Sequence, residues 1–257
     1  MGVVNVTPDS FSDGGDYVDC ASAVAHAREL IAQGADIIDV GGESTRPGST
    51  GVAVETELAR VVPVIEGIRS MNPLVTISID TSKSEVARQA LIAGASMVND
   101  VTGGRADDAI FDVVASAGAP FVVMHMRGQP RTMQDDPAYV DVVNEVASFL
   151  LDRVNVARKR GVSQVFVDPG IGFGKTVDHN IELLRNLERF DAIGDGILLG
   201  ISRKRFLGAI TGITDAKDRD AVTALAHSLL LHKPVSIIRV HNVSHIVQLR
   251  SLVQALC

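Results

Sequence analysis

The chain has 257 residues, 46% of them hydrophobic and none of them Trp, which allows one large α/β domain and argues against an aromatic-rich β-sandwich. Lys and Arg number 24 against 31 Asp and Glu, and the net charge of −7 leaves no overall pull toward nucleic acid or an anionic membrane. Cys20 and Cys257 lie too far apart to suggest a disulfide framework, no basic n-region opens the chain, and no apolar run reaches the roughly 18 residues of a membrane span, so a cytoplasmic protein is expected.

Short apolar runs alternate with longer segments of helical period. Val3–Val6 is the first predicted strand, followed by a helix over Cys20–Gln33. Ile37–Val40 precedes a helix over Val54–Ser70, and Val75–Ile79 precedes one over Ser84–Ala93. Ser96–Asn99 leads to a helix over Asp107–Ala117, and Phe121–Met124 to a long one over Ala138–Arg160, where Val143, Val146, Leu150 and Val154 recur at helical spacing. Val165–Val167 precedes a helix over Val177–Glu188. Ile197–Ile201 is followed by helical segments over Arg203–Ile210 and Arg219–Leu231, and Ser236–Val240 by a last helix over Ser244–Ala255. Gly34, Gly94, Gly118 and Gly161 stand where helix C-caps belong. Eight such units in about 250 residues, with no linker between them, predict a TIM (β/α)8 barrel, a single domain over 1–257. An open doubly wound sheet is the alternative, but no G-x-G-x-x-G follows the first strand.

Ligands of parallel sheets bind outside the carboxyl ends of the strands, so the residues just past each strand are the candidate site. In order they are Asn5, Gly41-Gly42-Glu43, Asp80, Asn99-Asp100, His125, Asp168, Ser202-Arg203-Lys204, Arg239 and His241. Any one of them, His125 for example, reads more readily as a structural residue, whereas the whole set at one rim reads as an active site. Asp80, Asn99 and Asp168 are rich in acceptors and suit a flat ligand with several N–H donors. Arg239 and His241 alternate past the last strand, lie on one side, and suit an anion such as a diphosphate. No zinc spacing is present. Mg²⁺, which takes few protein ligands and keeps phosphate and water, fits a lone Asn5 better.

The stretch VFVDPGIGFGKT at Val165–Thr176 mimics a phosphate-binding loop but fails the pattern, because Pro169 stands where G-x-x-x-x-G-K-[ST] needs glycine. A glycine-rich turn capped by Thr176 is its structural alternative. Two further rim loops, Thr7–Asp16 and Gly41–Gly51, are rich in Gly, Ser and Pro and are expected to move.

Taken together, these stretches resemble bacterial dihydropteroate synthases over essentially the whole chain. The matching motifs are NVTPDSFSDGG at 5–15, GGESTRPG at 41–48, SIDT at 78–81, VNDV at 98–101, DPGIGFGKT at 168–176, SRKR at 202–205 and RVH at 239–241. The resemblance implies an enzyme that condenses 6-hydroxymethyl-7,8-dihydropterin diphosphate with 4-aminobenzoate, releasing pyrophosphate, on a homodimeric TIM barrel. It implies that Asp80, Asn99, Asp168 and Lys204 hold the pterin, that Asn5 helps place Mg²⁺, and that Arg239 and His241 grip the diphosphate. Thr45, Arg46 and Pro47, with Phe173 and Lys204, would frame the aminobenzoate, and Asp13 would approach the reacting centre. Asp13, Asp80 and Lys204 are thus the expected catalytic groups. Arg205 and Asn242 depart from the Ser and Asp that many members carry. A pterin-binding methyltransferase on a similar barrel, or a non-catalytic pterin-binding paralogue, are the competing readings.

One prediction concerns binding order. Ordering a Gly-rich loop costs on the order of 1 kcal/mol per fixed residue, more than a small ring with one carboxylate offsets. Labelled 4-aminobenzoate is therefore expected to bind the empty protein poorly, and well only with Mg²⁺, pyrophosphate and a pterin analogue present. Equal affinity in both conditions would mean a preformed pocket.

Overall fold

The computed structural model describes residues 1–7, 15–45, 48–129 and 131–256, with the backbone alone over 15–19. Eight strands, β1 (Gly2–Asn5), β2 (Ile37–Gly41), β3 (Thr76–Asp80), β4 (Met97–Asp100), β5 (Phe121–Met124), β6 (Val165–Asp168), β7 (Ile197–Leu199) and β8 (Val235–Ile238), form one sheet in sequential order, all pairs parallel. The helices between and after them are α1 (Gly15–Ala32), α2 (Val54–Met71), α3 (Ser84–Ile92), α4 (Ile110–Ala117), α5 (Val142–Lys159), α6 (Val177–Arg185), α7 (Glu188–Asp191), α8 (Arg205–Thr211), α9 (Asp220–Leu229) and α10 (Val243–Leu256). The outermost strands also meet. The Val3 N–H donates to the Val240 carbonyl at 3.1 Å, the Val240 N–H to that of Met1 at 3.0 Å, and the Met1 ammonium to that of Ile238 at 2.9 Å.

Every predicted strand and helix is present, with shifted ends. The helix predicted over Val177–Glu188 is two, α6 and α7. Asn186 ends the first by turning its Nδ2 onto the Glu182 carbonyl at 2.8 Å, a side-chain bond that competes with the helical ladder. The helix predicted from Asp107 starts at Ile110, because the Asp107 carboxylate accepts the N–H groups of Ala109 (3.2 Å) and Ser84 (2.8 Å) and holds a turn there. Gly118 ends α4 in the left-handed region at φ 63°, as a C-cap requires.

Strand side chains alternate between faces, and the register lines the alternation up across the sheet. One face carries Val4, Ile38, Ile77, Ile79, Val98, Phe121, Val123, Val165, Val167 and Ile197, all buried against the helices in the main core. The opposite face begins with an apolar layer of Met1, Met97, Val122 and Leu198, backed by Ile37, Phe166 and Ile237. Two residues further along the same strands, that face turns polar: Asp39, Asn99, Asp168 and Arg239 follow Ile37, Met97, Phe166 and Ile237.

The loop after β6 is held from below by Lys175. Its ammonium is buried and lies 2.9 Å from His125 Nδ1, 2.9 Å from the Gly170 carbonyl and 3.0 Å from that of Phe173. The ammonium is thus occupied by acceptors of the protein itself. Thr176 and His179 form a reciprocal capping box at the start of α6, so the glycine-rich turn capped by Thr176 is the observed state. Gly170 has φ +67°, and a Cβ there would sit 1.8 Å from the His125 carbonyl oxygen. Gly170→Ala is expected to cost roughly 2 kcal/mol or more in urea unfolding. An unchanged midpoint would show that the loop gives way freely.

Candidate active site

A cavity of about 900 Å³ opens at the carboxyl ends of the strands. Its polar wall comes from strand ends: Asn5 on β1, Asp80 on β3, Asn99 on β4, Asp168 on β6, then Lys204, Arg239 and His241 just past β7 and β8. Its apolar wall is Val101, Met124, Met133 and Phe173, part of one packed cluster. Thr45 reaches the same cavity from the second rim loop. Acceptors and cations are interleaved along the polar wall, Arg239 bonded to Asp80 and Lys204 close to Asp168.

Arg239 organises the floor. Its Nε donates to Asp39 Oδ2 at 2.6 Å and its Nη2 to Asp80 Oδ2 at 2.9 Å. Asp39 is fully buried on β2 and also accepts from the Asn99 amide at 3.2 Å. Burial pushes the Asp80 carboxyl up to about 8, the Asp39 charge adds to the rise, and Arg239 opposes it. Burial raises Asp168 as well, with Lys204 pulling the other way, while the Gly170 N–H donates to its carboxylate at 2.7 Å. Lys204 sits over the Phe173 ring, 4.6 Å from its centroid, and donates to the Ile171 carbonyl. Burial pushes its ammonium down to about 8, with Asp168 holding it up.

The turn that delivers Lys204 is braced. Arg203 adopts φ 61°, unusual for a side-chain-bearing residue, and its guanidinium grips Asp220 through Nε at 2.6 Å and Nη2 at 2.7 Å. Ser202 Oγ accepts the His241 N–H at 3.1 Å and lies 2.9 Å from His241 Nδ1. With that hydroxyl donating to Nδ1, a neutral His241 ring carries its proton on Nε2.

Other residues from the predicted rim lie elsewhere. His125 is buried against Lys175, and burial followed by the Lys175 charge pushes it down to about 2, so it is a neutral structural acceptor. Asp100 points to the other face of β4 and accepts the N–H groups of Thr102 (2.7 Å) and Gly104 (2.6 Å). Glu43 pairs with Lys83, which also pairs with the buried Glu57. Asn242 turns its Oδ1 to Ser244 Oγ and the His245 N–H, capping α10, rather than to the cavity. Asp13, Arg46 and Pro47 lie outside the described residues. Asp39, Met124 and Met133 are not among the site residues expected from the sequence. For Asp39 the signal was present, a single charge inside the apolar run Ile37-Ile38-Asp39-Val40.

A parallel α/β sheet whose strand ends converge on one polar slot defines a small-molecule enzyme of the ligand-at-the-carboxyl-end kind. A family model described as pterin binding enzyme matches residues 1–241. The chain is 43% identical over 258 residues to the dihydropteroate synthase of Synechocystis sp., covering 100% of this chain and 89% of that one. It is 47% identical over 246 residues to the dihydropteroate synthase of Streptococcus pyogenes serotype M6, covering 95% and 90%. Among solved structures, that of Xanthomonas albilineans dihydropteroate synthase with 4-aminobenzoic acid superposes with a TM-score of 0.93 at 44% identity, over 100% of this chain and 92% of that one. That of the Thermus thermophilus dihydropteroate synthase in complex with 6HMPPP gives 0.86 at 39% identity, over 100% and 93%. The chain belongs to the dihydropteroate synthases, within the pterin-binding enzymes.

The raised Asp80 carboxyl has a stability signature. A folded pKa raised from 3.8 to about 8 means the folded state keeps a proton that the unfolded chain releases, so stability is present at low pH and lost as pH rises through that window. Between pH 5 and 8.5 the parent is expected to lose stability relative to Asp80→Asn, measured by urea unfolding. A difference independent of pH would mean that Arg239 keeps Asp80 ionised throughout.

Proposed function

We propose that this chain, as one domain over 1–257, condenses 6-hydroxymethyl-7,8-dihydropterin diphosphate with 4-aminobenzoate to give 7,8-dihydropteroate and pyrophosphate, a step of folate synthesis. The observation that carries the reading is the cavity itself, which brings the acceptors Asp80, Asn99 and Asp168 together with Arg239 and His241. The two edge strands are read as neighbours closing a (β/α)8 barrel, supported by the hydrogen bonds of Val3 and Val240 across them.

In this reading the pterin ring lies against Met124, Met133 and Phe173, and its N–H donors meet Asp168, Asn99 and Asp80. Such donors favour the ionised carboxylates that burial alone disfavours. Lys204 completes the ring's contacts. The bond from the pterin methylene to the diphosphate oxygen breaks, and the electron pair leaves with the diphosphate toward Arg239 and His241. Positive charge left on the carbon is stabilised by Asp80 and, from the first rim loop, Asp13. The aniline nitrogen then attacks that carbon, forming the C–N bond, and its proton passes to the released pyrophosphate and water. It is a nucleophile at neutral pH, so no Ser-His-Asp or Cys-His arrangement is required. Thr45, Arg46, Pro47, Phe173 and Lys204 frame the aminobenzoate.

The residues fit Mg²⁺ in a substrate-dependent way. Among the described residues no three His, Cys, Asp or Glu side chains form a metal-holding group, and Asn5 offers one amide oxygen at the cavity wall beside the diphosphate end. A cation that draws most of its ligands from phosphate and water suits that donor. When bound, it would neutralise the leaving diphosphate.

We further read the chain as a cytoplasmic homodimer. Leu225 and Leu229 on α9 and Leu252 and Leu256 on the adjoining α10 are exposed, an apolar face suited to a second copy. No helix among the described residues is long and apolar enough to cross a membrane, and among the described residues Cys20 forms no disulfide, as a reducing compartment favours.

The deciding experiment is a pyrophosphate-release assay on the dihydropterin diphosphate with and without 4-aminobenzoate. Release that depends on the aminobenzoate is expected, and release independent of it would reject the synthase reading. Asp168→Ala is expected to weaken a pterin analogue by roughly ten- to over a hundred-fold, from the roughly 1.5–3 kcal/mol of a charged hydrogen bond. Calorimetry checks it, with circular dichroism as the fold control.

A further inference from the structure

Asp39 is a carboxylate with 0% exposure in the middle of a strand, and only half of it is used. Oδ2 accepts both the Arg239 Nε–H at 2.6 Å and the Asn99 Nδ2–H at 3.2 Å. Oδ1 is buried with no hydrogen-bond partner among the described residues. A buried charge with an idle oxygen contributes little to stability, since desolvation takes back most of what its ion pair supplies. Its neighbours two residues back on the strands, Ile37, Met97 and Ile237, belong to an apolar layer that the same face could have extended.

What the carboxylate does is choose orientations. A carboxylate only accepts hydrogen bonds, so the amide of Asn99 must turn its NH₂ to Asp39, and its carbonyl oxygen becomes the atom left for a ligand. Arg239 is held by Nε, at the root of its guanidinium, while the Nη2 tip rests on Asp80 at 2.9 Å. The two contacts differ in access. Asp39 is sealed, and the Asp80 side chain is 11% exposed at the cavity wall. The root contact is therefore the permanent one, and the tip contact is the one a competing anion can take over.

We propose that Asp39 is a positioning residue. With a single oxygen it fixes Asn99 as an acceptor for the pterin and anchors the root of Arg239, leaving the tip to trade Asp80 for the diphosphate. This rests on the assignment of Asn99 and Arg239 to those two parts of the substrate. It adds that the two subsites share one hinge and that releasing Asp80 accompanies diphosphate binding, which frees its carboxylate for the pterin side of the slot.

The test uses the full chain with Asp39→Ala and Asp39→Asn. Calorimetry measures 6-hydroxymethylpterin, and pyrophosphate in Mg²⁺ buffer, and steady-state kinetics gives the KM of each substrate. D39A is expected to raise both dissociation constants at least tenfold and the KM for the dihydropterin diphosphate in step, with the KM for 4-aminobenzoate moving less than twofold. D39N keeps an acceptor oxygen where Oδ2 lies and places its NH₂ at the idle Oδ1 position, so it is expected to return both affinities to within threefold of the parent. Parent-like binding of either ligand by D39A, or equal rises in both KM values, overturns the proposal. If D39A does not fold, the parent decides it by NMR. The Arg239 Nε–H signal, assigned by its loss in R239K, should be protected from water exchange in the empty enzyme and remain so with Mg²⁺ pyrophosphate. Loss of that protection on binding overturns the proposal. A parent that binds neither ligand rejects the proposed function, and this inference with it.

Discussion

Side chains on a strand alternate with a period of two, and in parallel strands held in register that alternation runs across the whole sheet. Everything functional here depends on it. Asp80 pairs in register with Gly41 on one side and Asn99 on the other, so its carboxylate has a backbone without a side chain on one flank and an amide on the other. Asn99 and Asp100 are adjacent in sequence, yet one lines the cavity and the other ties down the following loop from the opposite face. A slip of one residue in β4 would exchange them and abolish the slot.

The slot is also an electrostatic compromise. Asp39 and Asp168 are buried, Asp80 is half-buried, and all three lie close to Arg239, with Lys204 close to Asp168. Burial pushes Asp80 and Asp168 toward their neutral forms, and the nearby cations oppose it. Such a cluster is costly without a ligand, because a low-dielectric floor magnifies every unbalanced charge. A substrate that brings N–H donors at one end and an anion at the other relieves both imbalances at once. That matches the polarity of a dihydropterin diphosphate.

Rigidity comes from groups whose polar atoms are tied to the protein itself. Lys175 and His125 hold the loop after β6 by a buried contact, Asp220 holds the left-handed Arg203, and Asn242 caps the helix after β8. These set the positions of Phe173, Lys204 and His241, respectively, through the backbone. The sequence already favoured a structural role for a lone His125 and denied the GFGKT stretch a complete phosphate-loop pattern. The burial of Lys175 and His125 against each other agrees with that.

The eight-unit architecture, the strand ends as the place to look, and the acceptor and cation classes at those ends were all legible in the amino-acid sequence. They depend on local periodicity and on residue chemistry, which a linear pattern records directly. The motifs resembling dihydropteroate synthases carried the substrate reading further than composition could. What the sequence left open are relations between residues far apart in the chain. Asp39 and Arg239 are 200 positions apart, and His125 and Lys175 are 50. No spacing rule connects them, because their contact is made by parallel pairing and loop packing. Only the tertiary structure decides that Arg239 is shared between Asp39 and Asp80, that Asn99 must present its carbonyl oxygen, and that His125 stays neutral behind the site. Each is a consequence of burial and of which partner lies within hydrogen-bond reach.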